Sequence, residues 1–319
     1  MTPRHRCSRV GMTRSSAFRV FGVVGALGLA VSGLVGGAPA ATAASSGAKV
    51  VQVVAAENFW GSIAKQIGGT HAHVVSIITN PNTDPHDYEP TAQDARTIAR
   101  AKLVIENAIG YDAWAAKSIA ADNGHPTVLN VGDLVGAKEG DNPHRWYNPA
   151  DVQTVISQLV TDFQKLDPAD SDYFVAQQTK FNTVSLAQYN SLIASIKATY
   201  GGTPVGASES IFSMLAPALG LNLITPYSFL RAISEGTDVT AADKTTIDDQ
   251  IQNHQIKIYV YNSQNVTPDV KAQLALVKKA HIPYATITET LLPANATYQA
   301  WQVKQLKGIQ AALAKAAAA

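Results

Sequence analysis

Short β-branched runs alternate with helix-forming stretches twice over along this chain, and no other feature restricts its fold as much. The first half carries KVVQVVAA, HVVSIIT, KLVIENA and TVLNV, separated by stretches such as FWGSIAKQIGG and TAQDARTIARA. The second half repeats the layout with TPVGAS, LNLITPY, IKIYVYN and IPYATIT, interleaved with SIFSMLAPALG, TTIDDQIQNHQ and TPDVKAQLALVKKA. Strand–helix alternation of this kind makes βαβ units and a mostly parallel sheet. The expected fold is α/β: two similar lobes, each a four-stranded mostly parallel sheet flanked by helices. No residue-level repeat relates the halves, so the similarity is one of architecture.

Between the halves runs DPADSDYFVAQQTKFNTVSLAQYNSLIASIKATYGG. Asp167 can cap a helix here, and Pro168 suits a first helical position. Phe174, Phe181, Tyr189, Leu192, Ile193, Ile196 and Tyr200 recur at mostly helical spacing, although Val184 and Leu186 blur the register. Gly201 and Gly202 then end it. One rigid helix of about 30 residues, ~45 Å long, is expected to join the lobes. The expected organisation is therefore a leader over 1–44, an N-terminal lobe over 45–166, a connecting helix over 167–200 and a C-terminal lobe over 201–319.

The leader is read from Arg4, Arg6, Arg9, Arg14 and Arg19, the apolar run from Val20 to Val35, and the small-residue stretch APAATAA. This is the pattern of a secretory signal peptide, cleaved near Ala43 or Ala44, with Met12 as an alternative start. An uncut membrane anchor is the competing reading, since the run approaches the ~18 residues needed to span a bilayer. Cleavage leaves 20 of the 25 basic residues against 24 acids, a net charge of −4. That balance gives no nucleic-acid-binding surface. The sole cysteine, Cys7, lies before the apolar run. The exported chain is then expected to lack disulfides, thiolate metal sites and a cysteine for lipid attachment.

In open α/β sheets, ligands bind beyond the carboxyl ends of the strands. That edge holds His86 after HVVSIIT, His144 in NPHRWYNP after TVLNV, Glu209 after TPVGAS and Glu289 after IPYATIT. Singly, each has an ordinary role open to it: a solvated loop imidazole, an acid at a helix N-terminus, a hydrated strand end. One metal site between facing lobes accounts for all four together. His71, His73, His125, His254 and His281 are read as surface residues.

At these residues the chain resembles a known family. AAENFWGSIAKQIGG and TDPHDYEPT are similar to the N-lobe of the metal-binding receptors of bacterial manganese and zinc ABC importers, the TroA/ZnuA-like solute-binding proteins. NPHRWYNPADV resembles that family's second histidine motif, with the usual His-x-Trp-Leu-Asp-Pro become His144-Arg-Trp-Tyr-Asn-Pro149. The resemblance spans about 49 to 312. It implies four metal ligands: His86, His144, then a third position that is histidine in zinc-type and glutamate in many manganese-type members. ASESIFSMLAPALGL places Glu209 there, with the aromatic after it, Phe212, displaced by one residue; TITETL places Glu289 fourth.

Two neutral imidazoles and two carboxylates cancel the charge of a divalent ion, which permits its burial. Asp84 or Asp87 is expected to orient the His86 ring by accepting its second N–H. Carboxylates that bind through one or two oxygens suit manganese first, with zinc close behind and ferrous iron third. The family implies a receptor rather than an enzyme, exported and monomeric, that delivers one ion to an ABC permease and its ATPase. A surface adhesin or an extracytoplasmic metal chaperone are the alternatives. A metallohydrolase is disfavoured, since no HExxH helix is present.

Overall fold

A computed structural model describes residues 50–121 and 124–319; the leader assigned to 1–44 lies outside them. Strands β1 (Val51–Glu57), β2 (Ala72–Ile78), β3 (Leu103–Glu106) and β4 (Thr127–Asn130) form one sheet in the order β2-β1-β3-β4. Strands β5 (Pro204–Ala207), β6 (Asn222–Leu223), β7 (Ile258–Asn262) and β8 (Tyr284–Ile287) form a second in the equivalent order β6-β5-β7-β8. Every pairing is parallel. The two four-stranded parallel sheets and their flanking helices are those expected from the alternation.

Strand β1 shows why the sheets are parallel and covered. Six of its seven residues are buried, the continuous burial of a strand packed on both faces. Strand β6 is shorter than the run LNLITPY suggests. Its neighbour Ala207 donates its backbone N–H to the Thr225 hydroxyl at 3.0 Å, so a side chain takes over one ladder bond just before Pro226 bends the chain away.

The first-lobe helices are α1 (Asn58–Gly68), α2 (Ala92–Ile98), α3 (Ala113–Ala120), α4 (Val131–Leu134) and α5 (Pro149–Leu166). Helix α2 begins with a reciprocal Thr91–Asp94 capping box. Helix α5 begins with Asn148 accepting from Ala150 N and with Pro149 in its first turn.

The connector differs from one uninterrupted helix over 167–200. Asp167 ends α5 and its side chain caps nothing; a single 3-10 turn, Pro168–Asp170, follows. Helix α6 (Ser171–Lys180) then runs through a π-helical turn, Phe181–Ser185, and on to α7 (Ala187–Tyr200). The π turn falls where Val184 and Leu186 blurred the spacing. One extra residue per turn leaves Val184 exposed while Phe181 and Leu186 stay buried.

The second lobe adds α8 (Ile211–Leu215), α9 (Tyr227–Ser234), α10 (Ala241–Gln252), α11 (Pro268–Lys279) and α12 (Tyr298–Ala317). Helix α12 packs against α7 and β8 and reaches across to α1. There Tyr298 N donates to Ser62 Oγ at 2.9 Å, and the Gln66 and Gln299 amides bond one another. One apolar core runs through both lobes, from Phe59 and Trp146 to Tyr259 and Leu306. A smaller cluster, including Val54, Val104 and Trp114, covers the other face of the first sheet. Among the described residues no helix is long and apolar enough to cross a membrane.

Candidate metal centre

The carboxyl ends of the two sheets bring His144, Glu209 and Glu289 together, with one ligand atom from each lying within 4.8 Å of the others. His144 precedes a 3-10 turn, Arg145–Tyr147, and is 1% exposed. Its Nδ1 lies 2.8 Å from Asn142 Oδ1, which also accepts from the His144 backbone N–H. Asn142 Nδ2 donates to Ser210 O and Ser213 Oγ in the other lobe. That network fixes the amide orientation, so Oδ1 accepts, Nδ1 carries the imidazole proton, and Nε2 keeps its lone pair. Nε2 faces Glu289 Oε1 at 3.9 Å.

Glu209 follows β5 and is 2% exposed. Its Oε2 accepts from Asn262 Nδ2 at 2.8 Å and its Oε1 from Ser234 Oγ at 3.3 Å. Glu289, just past β8, is held mainly by the N-lobe. Its Oε1 accepts from the Tyr111 hydroxyl at 2.8 Å, and its carbonyl accepts from Trp146 Nε1 at 3.0 Å. Trp146 stacks on Phe59 with ring centres 3.8 Å apart.

His86 stands at the rim. It is exposed, its ring meets the Tyr111 ring edge-on at 4.9 Å, and its Nδ1 lies 3.3 Å from the Gly110 carbonyl. A carbonyl only accepts, so that contact leaves Nε2 as the donor atom for a metal. The expected role of Asp84 and Asp87 is corrected here. Asp84 Oδ1 accepts from the His86 backbone N–H at 2.9 Å, which shapes the loop; among the described residues neither carboxylate bonds the ring. A tight Asx-type turn directs the Asp84 side chain back onto its own backbone, and Gly110 is the ring's partner instead.

A cavity of about 450 Å³ opens beside these groups, lined by Asp84 and His86 on one side and Ser234, Gln264 and Asn265 on the other. Gln264 Nε2 bridges it to the Pro81 carbonyl at 2.8 Å.

The electrostatics follow from burial. Desolvation, with a smaller contribution from the nearby His86, pushes His144 down to about 3, so its imidazole is neutral near neutral pH. Burial raises Glu209, and the adjacent Glu289 raises it further. Burial also raises Glu289, against the opposing hydrogen bond from Tyr111. A neutral imidazole beside two crowded carboxyls is a donor set that gains most from a divalent cation.

Sequence reasoning missed Asn262, Tyr111, Asn142 and Ser234. Asn262 carried the one usable signal, because it ends the strand run IKIYVYN at the ligand-binding edge. Of the five histidines read as surface residues, His73, His125, His254 and His281 are exposed, whereas His71 is half-buried between aromatic rings and two aspartates.

A family model described as ZnuA, zinc-uptake complex component A, periplasmic, matches residues 53–312. The iron-binding protein YfeA of Yersinia pestis is 28% identical over 137 residues, 41% of this chain and 44% of that protein. The match thus spans less than half of that relative's length. The manganese ABC transporter substrate-binding lipoprotein PsaA of Streptococcus pneumoniae is 22% identical over 251 residues, 71% of this chain and 77% of that protein. The manganese-bound periplasmic metal binding protein of Candidatus Liberibacter asiaticus superposes with a TM-score of 0.67 at 18% identity, covering 82% of this chain and 99% of that one.

Proposed function

Because this chain belongs to the periplasmic zinc-uptake component family, we propose that it captures one divalent transition-metal ion between its lobes and delivers it to an ABC importer. The observation that carries this reading is the convergence of His144, Glu209 and Glu289 at the facing sheet ends. His144 Nε2 presents a lone pair, and the two carboxylates supply the charge that a divalent ion neutralises. His86 joins them as the fourth ligand from the rim, its Nε2 turned free by the Gly110 contact.

Manganese is the first choice of cargo, because two glutamates beside two imidazoles offer mostly oxygen donors. Zinc comes next and ferrous iron third. The receptor is a monomer that works outside the cytoplasmic membrane and docks on a permease driven by an ATPase. It acts by binding and release, without catalysis. The lobes, 45–166 and 201–319, flank the connector over 167–200 and share one core, so release requires small movements at the cleft rather than a wide hinge.

The test is metal stoichiometry of stripped protein offered manganese and zinc together, with Glu209→Ala alongside. One ion held by the cleft, and lost or much weakened in the variant, is the expected result. Unchanged binding in Glu209→Ala would overturn the interlobe site. The preference in the competition assigns the cargo.

A further inference from the structure

Away from the cleft, three metal-competent side chains meet where the first lobe enters the connector. His71 closes the 3-10 turn after α1, Asp167 ends α5, and Asp170 closes the turn that leads into α6. His71 Nδ1 lies 2.9 Å from Asp170 Oδ2 and 3.7 Å from Asp167 Oδ2, and one ligand atom from each of the three residues lies within 4.8 Å of the others. The Asp167 side chain is 9% exposed. Its Oδ2 and the His71 Nδ1 are both buried without a hydrogen-bond partner. Asp170 already pairs with the ring nitrogen, but the desolvated Asp167 oxygen 3.7 Å from it has no donor, a costly arrangement unless a further charge completes it.

The imidazole is held for this contact. The Tyr173 ring lies over it at 4.1 Å and the Phe174 ring meets it edge-on at 5.9 Å. The Tyr173 hydroxyl accepts from Thr70 N at 3.0 Å. Gly69, at φ +52°, sits so close that a Cβ would come within 2.1 Å of that hydroxyl. The turn that presents His71 therefore requires glycine twice over, for its backbone angle and for its space.

We propose that His71, Asp167 and Asp170 form a second divalent-cation site, of the zinc class, that clips the end of α1 to the entry of the connecting helix. One nitrogen and two carboxylate oxygens balance a divalent charge. The imidazole selects for first-row transition ions over calcium or magnesium. Ligand atoms around tetrahedral zinc stand roughly 3.4 Å apart at ~2.1 Å bonds, and the two nitrogen–oxygen separations bracket that value. Three protein ligands leave one position for water, on the side where Asp170 is 35% exposed. The site shares no residue with the cleft and stands whether or not the cleft binds metal.

Equilibrium dialysis of stripped full-length protein against Zn²⁺ tests it, using the background Glu209→Gln/Glu289→Gln to disable the cleft. Two ions per chain are expected in the native sequence and one in the double variant. Adding His71→Ala or Asp170→Asn to the double variant should remove the last ion. Co²⁺ bound to the double variant should show a visible absorption band that Asp170→Asn abolishes, a readout independent of whether His71→Ala folds. Zinc should raise the melting temperature of the double variant and leave that of its Asp170→Asn derivative unchanged. A double variant that binds no ion, or an ion that survives both His71→Ala and Asp170→Asn, would mean the cluster is an imidazolium–carboxylate ion pair only.

Discussion

Asn262 Nδ2 donates to Glu209 Oε2 at 2.8 Å and to Glu289 Oε2 at 3.4 Å, so one amide at the end of β7 ties together two acids that lie 80 residues apart in sequence. The tie opposes their mutual repulsion before any ion arrives. Replacing Asn262 with alanine removes the shared donor and lets the carboxylates separate. Groups that orient ligands in this way are worth about 10- to 100-fold in metal affinity. Competition against a chelator of known strength should show a loss of that order, with the circular dichroism spectrum unchanged.

The same acids make the metal-free protein sensitive to pH. Both folded carboxyls are raised above their unfolded values. The folded state therefore binds protons more tightly, and the stability this contributes is full below the unfolded carboxylate range. It is lost as pH rises through the raised values. Glu209→Gln cannot ionise and should stabilise the metal-free protein at pH 8 by about 1 kcal/mol or more, a few degrees in melting temperature. The same variant should bind metal more weakly. A lower melting temperature for Glu209→Gln than for the native sequence at pH 8, with the gap narrowing as pH falls to 4, would reverse the assigned sign.

Raised carboxyls also mean that metal entry expels protons. His144, pushed down to about 3, arrives unprotonated, so it adds nothing to the protons released near neutral pH, to which the two acids contribute. Calorimetry in buffers of different ionisation enthalpy should record that release. Glu289→Gln and Glu209→Gln should each reduce it, and a count unaffected by both would remove the acids from the site.

Phe59 connects the core to the centre, because it stacks on Trp146, whose indole N–H holds the Glu289 backbone. It is fully buried. Phe59→Ala should cost about 3–5 kcal/mol in chemical denaturation. Part of the defect should appear as weaker metal binding in protein that still folds.

A core continuous across both lobes predicts little change of shape on loading. Small-angle scattering of stripped and metal-loaded protein should give the same radius of gyration within error. A clear contraction on loading would require a hinge that the shared core does not permit.

Sequence alone determined the alternation of strands and helices, and with it the parallel sheets, because strand and helix periods are written in consecutive residues. It also put Glu209 and Glu289 two residues past the ends of β5 and β8, since those positions follow from strand boundaries, whereas His86 and His144 were picked out by their loop motifs, eight and fourteen residues beyond β2 and β4. Tertiary structure decided which groups meet. His144 takes its proton's partner from Asn142, which is locked by Ser210 and Ser213 of the other lobe. Glu289 is held by Tyr111 and Trp146, and His86 stays at the rim against Gly110. The π turn at Phe181–Ser185 and the convergence of His71 on Asp167 and Asp170 likewise depend on how α1, α5 and α6 pack. Contacts between segments far apart in the chain have no fixed spacing, so only packing brings such partners within bonding distance.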